Sequence, residues 1–340
     1  MARVITFGEI MLRLNPEGYR RIVQADTFAA SYAGGEANVA VSLAQYGDES
    51  YFVSKVPMHE VGQACINSLR KYGVHTDYVI RGGERLGIYY VEKGASQRPS
   101  KVIYDRAHSA IALSTSDEYP WHEVFMGADW FHWTGITPAI SDNLPDICLE
   151  ACRAARERGV TISCDLNYRK KLWSKEKAKD VMKRLIPYVD LCIANEEDAA
   201  DVFGITAEGT DIESGQLSKE GYISVAKQIC DIYGCKKVAI TLRSSLSASV
   251  NKWAGMLYDG QKAYFSKEYT INIIDRVGGG DSFGGALIHA LLKGMNPQTS
   301  IEFAVAASCL KHTIEEDYNL ISEQEVMVLM SGNGNGRVQR

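Results

Sequence analysis

The chain has 340 residues, of which 46% are hydrophobic, so it can bury a large core and form about two domains or one large α/β domain with an appendage. Its 37 basic and 42 acidic residues leave a net charge of −5 and form no basic stripe, which argues against DNA or RNA as a partner. The eight cysteines lack zinc-like spacing, the N-terminus lacks a signal-peptide core, and no segment approaches about 18 apolar residues, so we expect a cytoplasmic protein without a membrane partner.

The first third of the sequence predicts a small β-rich lid. After the opening strand RVITFGEI, short runs interrupted by polar residues occur around 12–33 and again around 85–106. Residues 36–46 and 60–72, which lie between these runs, read as helices. A lid built from two separate segments would lie beside the carboxyl ends of parallel strands, where the ligand sites of α/β proteins are found.

The rest of the sequence predicts a mostly parallel sheet covered by helices. The β-rich runs VTISCDLN, DLCIAN and KKVAITL alternate with amphipathic stretches near 174–187, from about 196, and near 218–233. Two more helices are expected near 281–293 and 298–312. The predicted division is a core of residues 1–11, 34–84 and 107–330, a lid of residues 12–33 and 85–106, and a flexible tail of residues 331–340.

The strongest local signal is the run DRVGGGDSFGGAL, which follows a β-rich segment and opens a helix. Gly278, Gly279 and Gly280 allow close backbone approach, and the helix start directs unpaired N–H groups and positive dipole at an anion. Asp281 can then accept the proton of a hydroxyl that attacks a phosphoryl group. The alternative is a tight turn in which Asp281 only caps the helix.

The same run also matches the G-x-S-x-G pattern of serine hydrolases at Gly280–Gly284. A hydrolase needs an acid and then a histidine after the serine, and the sequence offers that order only as Glu302 and His312, both inside one predicted helix. Too few residues follow to build the remaining strands, so this reading is a minor alternative.

The second signal is the run SYAGGEANVA, a glycine pair that leads into a helix. Gly34 and Gly35 permit close approach of sugar hydroxyls to the backbone, and Asn38 offers a donor and an acceptor to a diol. Taken alone, this run is also consistent with an ordinary turn and a capped helix.

Together, AGGEANVA and DRVGGGDSFGGAL resemble the two signatures of the ribokinase-like (PfkB) carbohydrate kinases, in the right order and about 240 residues apart. The resemblance implies a ribokinase-like fold, a central mostly parallel sheet flanked by helices with a β-rich lid. It also implies ATP and Mg²⁺ as cofactors, and it leaves open whether a monovalent cation is required. An edge-exposing β lid further suggests a homo-oligomer formed through the lid.

Within this family, the segments GEIMLRL, KVIYDRA and DLNYR resemble the branch that phosphorylates 2-keto-3-deoxygluconate at its 6-hydroxyl. The predicted activity is therefore ATP-dependent formation of 2-keto-3-deoxy-6-phosphogluconate. Two alternatives stay open. One is a kinase of another sugar or sugar acid, such as fructose, ribose or 5-keto-2-deoxygluconate, and the other is a binder of sugar acids that has lost turnover.

An independent argument favours an acidic sugar. Tyr104 and Arg106 are two residues apart on a predicted strand and so face the same side, and Arg169 follows a parallel strand. An arginine can bind a carboxylate through two hydrogen bonds, although both arginines could instead form ordinary surface ion pairs. By resemblance, the pocket would be lined by Gly34, Tyr89, Tyr104, Arg106 and Arg169, with Gly35, Asn38 and Asp317 nearby.

The nucleotide contacts implied by the resemblance are Asn195, Thr241 and Arg243, together with Gly278 and Gly280. Two of the implied positions depart from the family pattern. Asp198 stands where a glutamate near Mg²⁺ is usual, and Arg243 stands where glycine is usual. We therefore expect only an indirect contact between Asp198 and the metal.

Overall fold

The structure is a computed structural model that describes residues 1–195, 197–206 and 218–332. Glu196, in the expected nucleotide segment, and residues 333–340 of the expected tail lie outside the described residues. The strands, numbered in chain order, are β1 (Arg3–Phe7), β2 (Met11–Asn15), β3 (Ala29–Ala33), β4 (Glu49–Val56), β5 (Val79–Arg81), β6 (Gly87–Glu92), β7 (Lys101–Asp105), β8 (Trp130–Thr134), β9 (Thr161–Asp165), β10 (Leu191–Ala194), β11 (Lys237–Ser245), β12 (Val250–Tyr258), β13 (Ala263–Phe265) and β14 (Tyr269–Asn272).

The α-helices mostly begin and end within two residues of the sequence expectations. They are α1 (Gly35–Gln45), α2 (Glu60–Arg70), α3 (Trp121–Val124), α4 (Leu144–Glu157), α5 (Lys175–Leu185), α6 (Asp198–Phe203), α7 (Lys219–Tyr233), α8 (Gly279–Leu292), α9 (Pro297–Lys311) and α10 (Glu323–Met330). Side chains of Ser174, Ser218 and Asn296 accept the N–H groups that open α5, α7 and α9, which explains where these helices start. In the described part of the chain, no helix combines the length and the apolar content that a bilayer crossing requires.

The large sheet confirms the predicted α/β fold class. Its strand order is β13-β12-β11-β10-β9-β8-β1-β4-β5, with β14 also paired to β12. The strands from β11 to β5 run parallel, whereas β12, β13 and β14 are antiparallel at one edge. The four residues of β10 are all buried, as expected for a central parallel strand that helices cover on both faces.

The second sheet has the order β3-β2-β6-β7, and we call it the lid. Burial alternates along β2, so one face of the lid packs on the core while the other faces outward. Met11 and Tyr89 lie on the packed face, in a hydrophobic cluster with residues of α1 and α2. The lid is thereby held over the edge of the large sheet at which the parallel strands end.

Candidate active site

A cavity of about 1170 Å³ lies between the lid strand β7 and the carboxyl ends of β9, β10 and β11. This volume suits two small ligands side by side, since single-ligand pockets usually measure about 300–1,000 Å³. The sequence-predicted residues that line it are Tyr104, Arg106, Arg169, Asn195, Asp198, Thr241, Arg243, Gly278, Gly279, Gly280 and Asp281. The cavity therefore joins the predicted sugar and nucleotide residues to one glycine loop.

The glycine loop, residues 278–280, packs against neighbouring residues on one side and lines the cavity on the other. Gly278 adopts a left-handed conformation (φ 80°) just before α8, and a Cβ there would collide with the main chain of Asp317. A Cβ on Gly279 would collide with the ring of His312, and the Oγ of Ser308 donates a 2.7 Å hydrogen bond to the Gly279 carbonyl. Gly280 has no such neighbour and lines the cavity, so the main chain at the start of α8 is accessible from the cavity.

Asp281 lies in the first turn of α8 and faces the cavity. Burial raises the pKa of its carboxyl from the usual 3.8 to about 6, and a 2.7 Å hydrogen bond from Asn38 Nδ2 acts in the opposite direction. The side-chain oxygen of Asn38, Oδ1, accepts the N–H of Gly34 at 3.4 Å. Gly35 also lies beside Asp281, since a Cβ there would be 3.6 Å from the carboxylate. Sequence segments far apart thus meet at one carboxyl group.

The side chain of Arg106 lines the cavity and is held in position by the carboxylate of Glu9. Its Nε donates a 2.7 Å hydrogen bond to Glu9 Oε2, its Nη2 contacts the same oxygen, and the Oγ of Ser109 donates to Glu9 Oε1 at 2.6 Å. The guanidinium lies 5.5 Å from the centre of the Tyr104 ring. Sequence reasoning missed Glu9, although the residue stands inside the quoted segment GEIMLRL.

A buried ion cluster lies behind the cavity wall. Arg13, on β2 of the lid, contacts Asp317 and donates a 2.6 Å hydrogen bond to Asp275, and all three side chains are buried. The hydroxyl of Tyr89 donates to the second oxygen of Asp317 at 2.8 Å. Tyr89, whose ring stacks on that of Tyr104, and Asp317 do not line the cavity. The expected pocket residues Gly34, Gly35 and Asn38 do not line it either. Arg13 was missed by sequence reasoning.

Two more carboxyl groups lie at the strand ends. Asp198 accepts the N–H of Tyr168 at 3.1 Å and that of Asn195 at 3.2 Å, so it joins the ends of β9 and β10. Burial raises the pKa of Asp165 well above its usual range, and the negative charges of Asp198 and Asp281 add to this effect. Sequence reasoning quoted Asp165 but gave it no role.

Whether these residues suit Mg²⁺ depends on how many carboxylates the site offers to the ion. The described residues hold no group of three or more metal-ligating side chains. Mg²⁺ in phosphoryl-transfer enzymes keeps several waters and uses one or two carboxylates plus substrate phosphates. Asp165 and Asp198 match that requirement, and a cation beside them would offset the charges of Asp198 and Asp281 that add to the effect of burial on the pKa of Asp165.

Two arginines line the side of the cavity that the sequence analysis assigns to the nucleotide. Arg243 on β11 and Arg276 just before the glycine loop both line it, and burial followed by the charge of Arg243 lowers the pKa of Arg276. Thr241 lies two residues before Arg243 at the end of the parallel part of the sheet. Two neighbouring guanidinium groups offer a binding surface for phosphate oxygens.

The geometry gives no support to the hydrolase alternative. Ser282 is 1% exposed and does not line the cavity. Glu302 accepts the main-chain N–H of Lys267 at 3.1 Å, and the Nδ1 of His312 donates to the Ser308 carbonyl at 2.6 Å. The three residues do not form a nucleophile, base and acid relay.

The fold, the lid and the glycine loop at the start of α8 define a ribokinase-like sugar kinase. In agreement, the pfkB family carbohydrate kinase model matches residues 1–322, and the chain belongs to this family. A solved structure of 2-dehydro-3-deoxygluconokinase from Thermotoga maritima is 51% identical, with a TM-score of 0.94 over 97% of this chain and 98% of that chain.

Two curated relatives are similar over most of their length. The 2-dehydro-3-deoxygalactonokinase of Haloferax volcanii is 30% identical over 335 residues, which cover 98% of each chain. The 2-dehydro-3-deoxygluconokinase of Bacillus subtilis is 30% identical over 312 residues, covering 90% of this chain and 88% of the relative. The terms 2-dehydro and 2-keto describe the same compounds.

Proposed function

We propose that the protein transfers the γ-phosphoryl group of ATP to the 6-hydroxyl of 2-keto-3-deoxygluconate. The observation that carries the proposal is one cavity in which Asp281 and the start of α8 lie across from Tyr104, Arg106 and Arg169. The name of the Thermotoga maritima relative, at 51% identity, supports the same substrate.

In the proposed step, the oxygen of the 6-hydroxyl forms a bond to the γ-phosphorus while the bond from that phosphorus to the β–γ bridging oxygen breaks. The hydroxyl proton passes to Asp281, and the bridging oxygen leaves with ADP. The N–H groups at the start of α8, among them that of Gly280, stabilise negative charge on the transferred group. Mg²⁺ would be held by the phosphates, by water and by Asp165, with Asp198 reaching it only through water, and it would supply further charge neutralisation.

The carboxylate of the substrate is assigned to the arginines. Arg106 is pre-oriented by Glu9, which lowers the entropy lost when it binds a ligand. Arg169 follows the turn after β9, is exposed to the cavity, and lies close enough to influence the pKa of Asp281. Asn195, Thr241, Arg243, Gly278 and Gly280 are assigned to the nucleotide, with Asp198 as an indirect metal contact.

A second candidate substrate is 2-keto-3-deoxygalactonate, which differs only in the configuration at C4. The Haloferax volcanii relative, named for that acid, supports it over 98% of the chain.

An ADP-release assay with Mg-ATP should compare both acids with 2-ketogluconate, gluconate, 5-keto-2-deoxygluconate, fructose and ribose, and phosphorus NMR should locate the phosphate. Selective turnover of 2-keto-3-deoxygluconate is expected. Preference for a neutral sugar would refute the role of the arginines, and absence of turnover would favour a binding protein.

The proposal also includes a cytoplasmic location and a homo-oligomer formed through the lid. All eight cysteines lie in the described part of the chain and carry free thiols, which suits a reducing compartment that also supplies ATP. Strands β3 and β7 are the open edges of the lid, and β3 carries exposed residues such as Ala29 and Ala30.

A further inference from the structure

Lys311, in the last turn of α9, is completely buried directly behind the glycine loop. Lysine is almost never fully buried unless its charge is compensated. Its Nζ donates to the main-chain carbonyl of Glu316 at 2.5 Å and lies 3.5 Å from the carbonyl of Ile314. The ammonium group therefore sits in a turn of carbonyl oxygens, in the manner of a bound cation.

The turn that Lys311 holds forms the back wall of the glycine loop. Glu316 adopts a left-handed conformation (φ 66°), and its N–H donates to Asp275 Oδ2 at 3.2 Å. The other oxygen of Asp275 accepts the N–H of Val277 at 3.1 Å, and the Asp317 carbonyl abuts Gly278. Moving the turn would therefore move the loop that faces the phosphoryl group.

The negative charges around this turn have to be compensated by a positive charge. Asp275 and Asp317 are buried there, and Asp281 lies within electrostatic reach. Burial lowers the pKa of Lys311, but the carboxylates of Asp275 and Asp317 act in the opposite direction and favour its charged form. Arg13 contributes the second positive charge.

The residues present do not fit a free monovalent ion. Such an ion would need carbonyl and carboxylate oxygens beside the glycine loop. Among the described residues, the oxygens of this kind on Asp275, Asp317, Ile314 and Glu316 already face Lys311 or Arg13. A potassium ion could occupy the turn only by displacing the Lys311 ammonium.

We propose that the Lys311 ammonium is a tethered substitute for a monovalent cation, so that the enzyme needs neither potassium nor sodium for turnover. Lys311 acts as a positioning residue, because it holds the 314–316 turn and through it Asp275 and Gly278. This inference rests on the proposed kinase activity for its kinetic part only.

The first test measures the protein as it is. The kcat of the wild type should agree within about twofold in potassium, sodium and choline chloride at equal ionic strength, which keeps screening constant. Its melting temperature should be the same in the three salts, because no specific ion binds the folded state. Stronger activation or stabilisation by potassium would overturn the proposal.

The second test removes the Lys311 ammonium group and leaves its site in the turn empty. Lys311→Met reproduces the side chain up to the carbon before Nζ, so potassium or ammonium can enter the turn. In choline chloride we expect kcat to fall at least about tenfold, less than the 10²–10³ of a lost direct donor. Potassium or ammonium chloride should restore part of it. Lys179→Met, on the exposed face of α5, is the matched control and should behave as wild type.

The melting temperature separates this proposal from the proposed function. Potassium or ammonium should raise it in Lys311→Met and leave wild type and Lys179→Met unchanged, whether or not any sugar acid is turned over. A Lys311→Met protein whose melting temperature ignores both ions, or whose kcat in choline matches wild type, would overturn the proposal. If this variant fails to fold, the wild-type comparison of salts still decides.

Discussion

The pKa of the Asp281 carboxyl group is set by opposing influences. Burial raises its pKa to about 6, whereas the Asn38 hydrogen bond and the charges of Arg169 and Lys311 favour the carboxylate. A base should have a pKa near the working pH, so that it is ionised and still accepts a proton. The carboxyl is therefore ready to accept a proton at neutral pH.

Replacing Asp281 by asparagine should abolish most turnover while ATP still binds. Loss of a general base typically lowers the rate by about 10²–10⁴-fold. In the wild type, kcat/KM should fall on the acid side with a midpoint near pH 6, because protonation removes the base. Near-wild-type turnover by a folded Asp281→Asn variant would refute the assignment.

The same variant should change stability in a pH-dependent way. A raised pKa means that the folded state binds more protons than the unfolded state between about pH 4 and 6, so stability falls as pH rises through that window. Asp281→Asn removes this penalty and should raise the melting temperature at pH 8 but not at pH 4. Equal melting curves of the two proteins at pH 8 would contradict a raised pKa.

Asn38→Ala should shift the acid limb of kcat/KM to higher pH. The 2.7 Å hydrogen bond from Asn38 favours the charged form of Asp281, so its loss raises the pKa. Asn67→Ala, on the exposed face of α2, is the control and should leave the profile in place. An unshifted profile in the Asn38 variant would show that the hydrogen bond does not tune the base.

Arg106→Ala should raise the KM for the sugar acid about 10- to 100-fold and leave the KM for ATP nearly unchanged, as expected for one charged hydrogen bond worth about 1.5–3 kcal/mol. Glu9→Gln keeps the guanidinium but weakens its orientation, and should give a smaller rise. Arg184→Ala, which breaks an exposed ion pair with Asp146 outside the cavity, serves as the control. Equal changes for both substrates would argue against contact with the carboxylate.

The sequence could indicate Asp281 and the glycines because each acts within a contiguous run. Glu9 and Arg106 are 97 residues apart, and Arg13 and Asp317 are 304 apart, so their pairing depends on how the lid packs on the core. No local pattern marks Arg13 or Lys311 as buried, since charged residues are usually exposed. Glu9 and Arg13 were therefore missed, and Gly34 and Tyr89 were expected to line the cavity but do not.

At the scale of the element, the glycines of α8 differ in whether the packing around them requires a glycine. Gly279 makes room for His312 and Gly285 makes room for Ser42 on α1, whereas a Cβ on Gly284 would meet only Ile193 Cδ1 at 3.6 Å. The first two glycines allow close packing at the site and between helices. Gly284 shows no comparable need.

Gly284→Ala should therefore stabilise the protein by about 0.5–1 kcal/mol, because alanine loses less conformational entropy in a helix. Gly285→Ala is the matched comparison, one residue further along the same helix, and should destabilise by about 1–3 kcal/mol through overpacking against Ser42. Urea unfolding measures both. Equal effects of the two substitutions would contradict this division of roles.

Strand β8 shows where prediction from periodicity fails. All five residues of WFHWT are buried, so neither alternation nor a helical period is visible. His132 in its centre is completely buried, and burial lowers its pKa to about 3, which leaves it neutral. The rhythm of strands and helices after Gly159 was readable, because turns and polar residues separate those elements.

At the scale of the whole molecule, the lid both covers the cavity and exposes two strand edges. An open edge presents unpaired N–H and C=O groups to a second copy of the chain. The segment that connects the lid strands β2 and β3 exposes Val23, at 88%, and Phe28, at 36%. Assembly through the lid would cover these residues.

Light scattering after size exclusion should therefore find more than one chain per particle. Ala30→Lys places a charge on the β3 edge and should shift the particles toward single chains. Met126→Lys, an exposed position away from the lid, is the control and should not. A wild type that is monomeric at high concentration would refute the oligomer.

The buried contacts of Arg13 also limit how the protein can be engineered. Its guanidinium lies in the lid, but both carboxylates that neutralise it belong to the core. Breaking a buried pair by removing one partner typically costs about 3–5 kcal/mol. A lid transplanted from another sugar kinase would therefore have to bring an arginine at this position, or the core would have to lose Asp275 and Asp317 with it. The lid is not an exchangeable module, and substrate range is more safely altered by changing single cavity residues.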